Sequence, residues 1–141
     1  MRPAWHTLSG GAFRFPGREP PMGLTRWFTT NRANTRDPSH PDLGPLTLPG
    51  PPADAARRIA AAVGSLPRWR VESADPAGGS VHLTRRTRVW RFVDDVRLAL
   101  TPAGGGTLVH AESQSRVGVG DLGQNRRNIL ELWAALRQHA A

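Results

Sequence analysis

A chain of 141 residues with 19 arginines, no lysine, 11 acids and a formal charge of +8 has room for one hydrophobic core and excludes two. The absence of cysteine excludes a disulfide framework, a thiolate metal site, an iron–sulfur cluster and a catalytic thiol. No window approaches the roughly 18 apolar residues of a membrane span, and the N-terminus lacks the apolar run of about 7 to 15 residues of a secretory signal, so cytoplasmic residence is expected.

Residues 1–24 are rich in Pro and Gly without helical or strand periodicity, the composition of a flexible arm. Met22 offers an alternative start that would leave the first 21 residues outside the protein. Residues 25–51 read as an extended arm anchored on the domain by Trp27 and Phe28, with Leu43, Leu46 and Leu48 forming a short edge strand bounded by Pro45 and Pro49. The domain proper spans 52–141. It opens with a helix over Pro52–Gly64, where Ala56, Ile59, Val63 and Leu66 recur at spacings of three and four.

Alternating residues then predict strands over 68–75 and 80–88, joined by the turn Pro76-Ala77-Gly78-Gly79. Val96, Leu98 and Leu100 predict a third, and Leu108, Val109 and Ala111 a fourth, across the turn 101–106. Asp121, with Gln124 three residues on, fits a capping box that opens a helix to about Gln138, whose Ile129, Trp133 and Leu136 stripe faces the sheet. The fold class is therefore α+β: an antiparallel sheet of about four or five strands with both helices on one face.

TRRTRVWRFVDDVRLAL (84–100) and SQSRVGVGDLGQNRRNI (113–129), with the TTNRANT and LPRW segments, resemble the Domain of Unknown Function 1499 family of bacterial and plastid proteins. The resemblance covers residues 25–138 and implies an α+β domain without an established biochemistry. Relatives carry a cysteine near TTNRANT, and this chain has none there.

Asp94 and Asp95 are adjacent, so in a strand they point to opposite faces, and a hydrolase that uses both needs a bulge to turn them together. A better expectation is that one of them pairs with Arg86, Arg88, Arg91 or Arg116. Arg85, Arg86, Arg88 and Arg91, interleaved with Trp90 and Phe92, would suit nucleic acid through phosphate contacts and base stacking. The plainer reading makes Trp90 and Phe92 core and leaves the arginines paired or in water. The basic excess is spread along the chain, with six Arg and three acids in 1–51 and thirteen Arg and eight acids beyond, which favours the plainer reading.

The glycines of 116–123 precede a helix N-terminus but match neither a Walker loop nor a dinucleotide fingerprint, and Asp121 would occupy the free N–H groups. Five scattered histidines show no metal spacing, and nothing marks Ser113 or Ser115 as a nucleophile. No catalytic residue, metal or cofactor is assigned. The leading expectation is a non-catalytic binding or accessory module with a polar site at the turn between sheet and C-terminal helix. That site gathers Arg88, Arg91, Asp94 and Asp95 with Ser113, Ser115, Arg116, Asp121 and Asn125. Its partner is an anionic small molecule or a protein. Nucleic acid ranks behind these, as does an anionic membrane surface met by Trp5, Phe13, Phe15, Trp27 and Phe28 of the arm.

Overall fold

In the computed structural model, the described residues are 32–38, 41–88, 91–117 and 123–139. Their order is β1 (Arg32–Asn34), β2 (Leu46–Pro49), α1 (Pro52–Gly64), β3 (Trp69–Asp75), β4 (Ser80–Arg86), β5 (Val93–Ala103), β6 (Gly106–Ser115) and α2 (Gln124–His139). The six strands form one antiparallel sheet, an α+β fold as the pattern predicts. β3 to β6 run as a meander, and β1 and β2 share the far edge by pairing with different stretches of β6.

α1 occupies the predicted residues. Pro51 and Pro52 preset its first turn, Asp54 pairs there with Arg57, and Ala55, Ala56, Ile59, Ala62 and Val63 are buried. Several features differ from expectation. The β5–β6 turn is the pair Gly104-Gly105, not 101–106, because both glycines take positive φ (56° and 82°) and close a two-residue hairpin that leaves Thr101 to Ala103 in register with β6. α2 begins at Gln124, behind a left-handed Gly123 (φ 79°), while the expected cap Asp121 lies outside the described residues. The sheet has six strands instead of four or five because Arg32–Asn34 pairs with Glu112–Gln114. That three-residue strand has one buried apolar side chain, Ala33, and so carries no hydrophobic alternation to read.

The pleat sorts the side chains into two layers. Val71, Val81, Leu83, Val96, Leu98, Leu100, Val109 and Ala111 point to the inner face, where they meet Ile59 and Val63 of α1 and Ile129, Leu132, Trp133 and Leu136 of α2. Asp95, Arg97, His110, Glu112, His82 and Thr84 point to the outer face, which no helix covers among the described residues. Both helices therefore sit on one side of the sheet, and the opposite side carries charge.

Candidate functional site

The inner face ends in a polar row. Along β4, Val81 and Leu83 are followed at the same pleat position by Arg85, which pairs across to Asp94 of β5 and on to Ser115 of β6. α2 lays its first turns over this row. Ser113 donates its hydroxyl to Asn125 Oδ1 at 2.7 Å, and Asn125 Nδ2 donates to Ser115 Oγ at 3.0 Å. Asn128 Nδ2 donates to Asp94 Oδ2 at 2.8 Å and to Ser113 Oγ at 3.1 Å, while its own oxygen accepts from Gln124 Nε2 at 2.7 Å. Asp94, Ser113, Asn125 and Asn128 are buried at 1% exposure or less, which leaves a solute no access to them. Hydrogen-bonded buried polar groups of this kind fix how α2 seats on the sheet. Beside them Glu131 of α2 accepts from Arg85 Nε at 3.2 Å and from the indole N–H of Trp69 at 3.0 Å.

The outer face carries a second polar set. Asp95 takes a bidentate fork from Arg116, Nε to Oδ2 at 2.8 Å and a terminal nitrogen to Oδ1 at 2.9 Å, and His82 Nε2 lies 2.7 Å from Oδ1. Burial pushes the Asp95 carboxyl upward, but the hydrogen bonds from Arg116 and His82 and the Arg116 charge overcome it and hold the group well below the usual carboxylate range. Farther along, Glu112 accepts from Arg32 Nε at 2.6 Å and from Asn34 Nδ2 at 3.5 Å. There burial wins over the Arg32 charge and raises the carboxyl. Thr84 donates to Glu72 Oε1 at 2.7 Å, completing a face on which acids and bases alternate.

The expected site residues thus divide. Asp94, Ser113, Ser115 and Asn125 lie beneath α2, whereas Asp95 and Arg116 lie on the outer face. Arg88 and Arg91 are exposed in the β4–β5 connection, and Asp121 lies outside the described residues. The register of β5 with both neighbours is unbroken at 94–95, so no bulge turns the two carboxylates together. Of Arg86, Arg88, Arg91 and Arg116, it is Arg116 that meets one of the two carboxylates, Asp95. Phe92, expected in the core, is 44% exposed, because β4 ends at Arg86 and β5 begins at Val93, so Phe92 falls past the end of the regular strands. Among the described residues no three His, Asp or Glu side chains converge as a metal site, and no helix is long and apolar enough to cross a membrane.

Sequence reasoning passes over His82, Glu112, Arg32 and Asn128. The first three join their partners across strand pairs, and the pairing of β1 with β6 that brings Arg32 to Glu112 has no sequence signal. Asn128 had a signal, the i+3 spacing from Asn125 that sets both amides on one helix face.

His110, also on the outer face, has Thr35 Oγ1 3.0 Å from its Nδ1. Burial, with the Arg36 charge nearby, lowers its imidazole to about 4. Because the native value lies below the unfolded one of about 6.5, the stability this neutral ring contributes is complete above that pH and is lost as pH falls toward 4. Allowing for partial exposure, about 1–2 kcal/mol is expected to disappear between pH 7 and 4 and to be absent from His110→Gln, as read by urea midpoints at the two pH values. Glu112 acts in the opposite sense, since a raised carboxyl favours the native state as pH falls, so the comparison between variants isolates His110.

The geometry defines a two-layer α+β domain, helices on sheet, with a sealed polar seam under its second helix and a charged outer face over which the described residues place no helix. The chain belongs to the family described as "Protein of unknown function (DUF1499)", whose model matches residues 25–136. No curated protein matches the sequence. Among solved structures, the chain is similar to TTHA0849 from Thermus thermophilus, at 12% identity and a TM-score of 0.35 over 77% of this chain and 94% of that one.

Proposed function

We propose that this domain is a non-catalytic binding or accessory module of the cytoplasm that takes a partner on the uncovered face of its sheet. The observation that carries this is the outer-face layer itself, where the exposed Arg116 and Arg32, with the half-buried His82 and Asn34, stand over the buried carboxylates of Asp95 and Glu112 that hold them in place, and no helix or strand of the described residues lies above them. Interspersed charges of both signs complement a protein or peptide surface better than a uniform polyanion. The buried Asp94, Ser113, Asn125 and Asn128 set, by contrast, serves to hold the fold.

A hydrolase built on Asp94 and Asp95 fits less well. The carboxylates face opposite sides, and Asp95 is held too acidic to act as a general acid near neutrality. Glu112, whose carboxyl is raised, already accepts from Arg32 and Asn34.

Amide shift mapping of the isotope-labelled chain against mixed-charge peptides tests the proposal. Perturbations are expected at alternate positions 82, 84, 95, 97, 110 and 112 and not along the exposed side of α2. Shifts confined to α2, or hydrolysis of a general ester or phosphoester probe abolished by Asp95→Asn, would contradict it.

A further inference from the structure

The end of the sheet where β4 turns into β5 has a chemistry of its own. The β5–β6 ladder pairs Asp94 with Ser115, and the Arg116 N–H continues it by donating to Val93 O at 3.1 Å. One position farther along each strand's chain lie Phe92 and Val117. These two are the large hydrophobic side chains left exposed among the described residues, at 44% and 39%.

Phe92 is tied to Thr87, just past the end of β4. Thr87 N donates to Phe92 O at 2.8 Å, and Phe92 N donates to Thr87 Oγ1 at 2.9 Å. Arg86, Arg88 and Arg91 belong to the same stretch of chain as Phe92, all are exposed, and among the described residues none of their guanidinium groups has a carboxylate partner. The nearest acids in sequence are occupied, Asp94 by Asn128 and Asp95 by Arg116 and His82. Arg91 moreover holds a left-handed backbone (φ 53°), a conformation that glycine adopts at no steric cost. A long cation therefore occupies a position where the backbone alone would favour the smallest residue.

We propose that this end of the sheet docks on an anionic phospholipid surface, with Phe92 and Val117 entering the interfacial region while Arg86, Arg88 and Arg91 meet lipid phosphates. Exposed apolar side chains beside exposed cations that have no carboxylate partner among the described residues complement an interface that is apolar beneath and negative at its surface. Single-stranded nucleic acid fits less well, since base stacking asks for planar partners and Val117, beside Phe92, offers none. The site lies at the end of the sheet, away from the Asp95 and Glu112 clusters, and does not depend on what those bind.

The test is co-sedimentation of the full chain with phosphatidylcholine vesicles, with and without phosphatidylserine, at low and high salt. Binding is expected with phosphatidylserine, to weaken at high salt, and to be absent with phosphatidylcholine alone. At about 1 kcal/mol for each arginine near an anionic surface, Arg88→Ala with Arg91→Gly is expected to lower partitioning by roughly 25-fold, and Phe92→Ser to weaken it further. Arg91→Gly relieves the left-handed strain, so its thermal midpoint is expected to equal or exceed the parent's and its binding loss to be separable from unfolding. No sedimentation at low salt overturns the proposal. Equal partitioning of parent and double arginine variant does so too, because attachment then resides elsewhere, as in residues 1–31. Oligonucleotide binding unaffected by Phe92→Ser, with vesicle binding absent, would assign the cations to nucleic acid instead.

Discussion

Asn128→Ala is expected to destabilise the domain by about 3 kcal/mol, because the residue is fully buried and hydrogen-bonded. Its amide is the hub of the inner seam, donating to Asp94 and Ser113 and accepting from Gln124. Truncation leaves Asp94 at 1% exposure without that donor, and an uncompensated buried charge is the costliest defect a single substitution creates. The thermal midpoint is expected to drop by roughly 10 °C. Asn128→Asp, nearly the same shape, is expected to be no better, because it sets a second carboxylate against the first. Denaturant unfolding measures both, and a loss under about 1 kcal/mol for the alanine variant would show that the seam does not hold α2 in place.

Trp133→Ala is expected to be at least as damaging, at about 3–5 kcal/mol. The indole is 2% exposed in the middle of the inner layer, and its N–H donates to Gly44 O at 2.8 Å, tying α2 to the segment that leads into β2. Alanine opens a cavity and strands that carbonyl. Phenylalanine refills most of the volume but not the hydrogen bond, so Trp133→Phe is expected to lose about 1–2 kcal/mol. Hydrogen exchange separates the two effects: both variants expose the amides near Gly44 and Leu46, and only the alanine variant loosens α2 as a whole.

These effects show which parts of the molecule the sequence makes legible. α1 falls where Pro51, Pro52 and the Ala/Ile/Val spacing place it, because a helix boundary is local chemistry. The separation of Asp94 from Asp95 is equally local, as the period of two in a strand sends neighbours to opposite faces. Asn125 meets Ser113 and Ser115 from the first turn of α2.

What a single strand does not encode is what lies across from it. Glu131 serves Trp69 and Arg85, which lie 62 and 46 positions away, and His82 reaches Asp95 only once β4 and β5 are in register. β1 is invisible because Arg32 and Asn34 are polar and Ala33 small, so its strand character comes from β6. Expecting one site at the sheet-to-helix turn followed motif residues close in sequence, and the pleat distributes those residues between two faces.

These motif residues form two independent sets, one a seam under α2 and one on the outer face of the sheet. A double-mutant cycle between Asn128→Ala and Arg116→Ala tests this division most directly. The two losses are expected to add within about 0.5 kcal/mol, because the sheet separates the residues and no partner is shared. A coupling of about 1 kcal/mol or more would contradict the division and make the two faces parts of a single site.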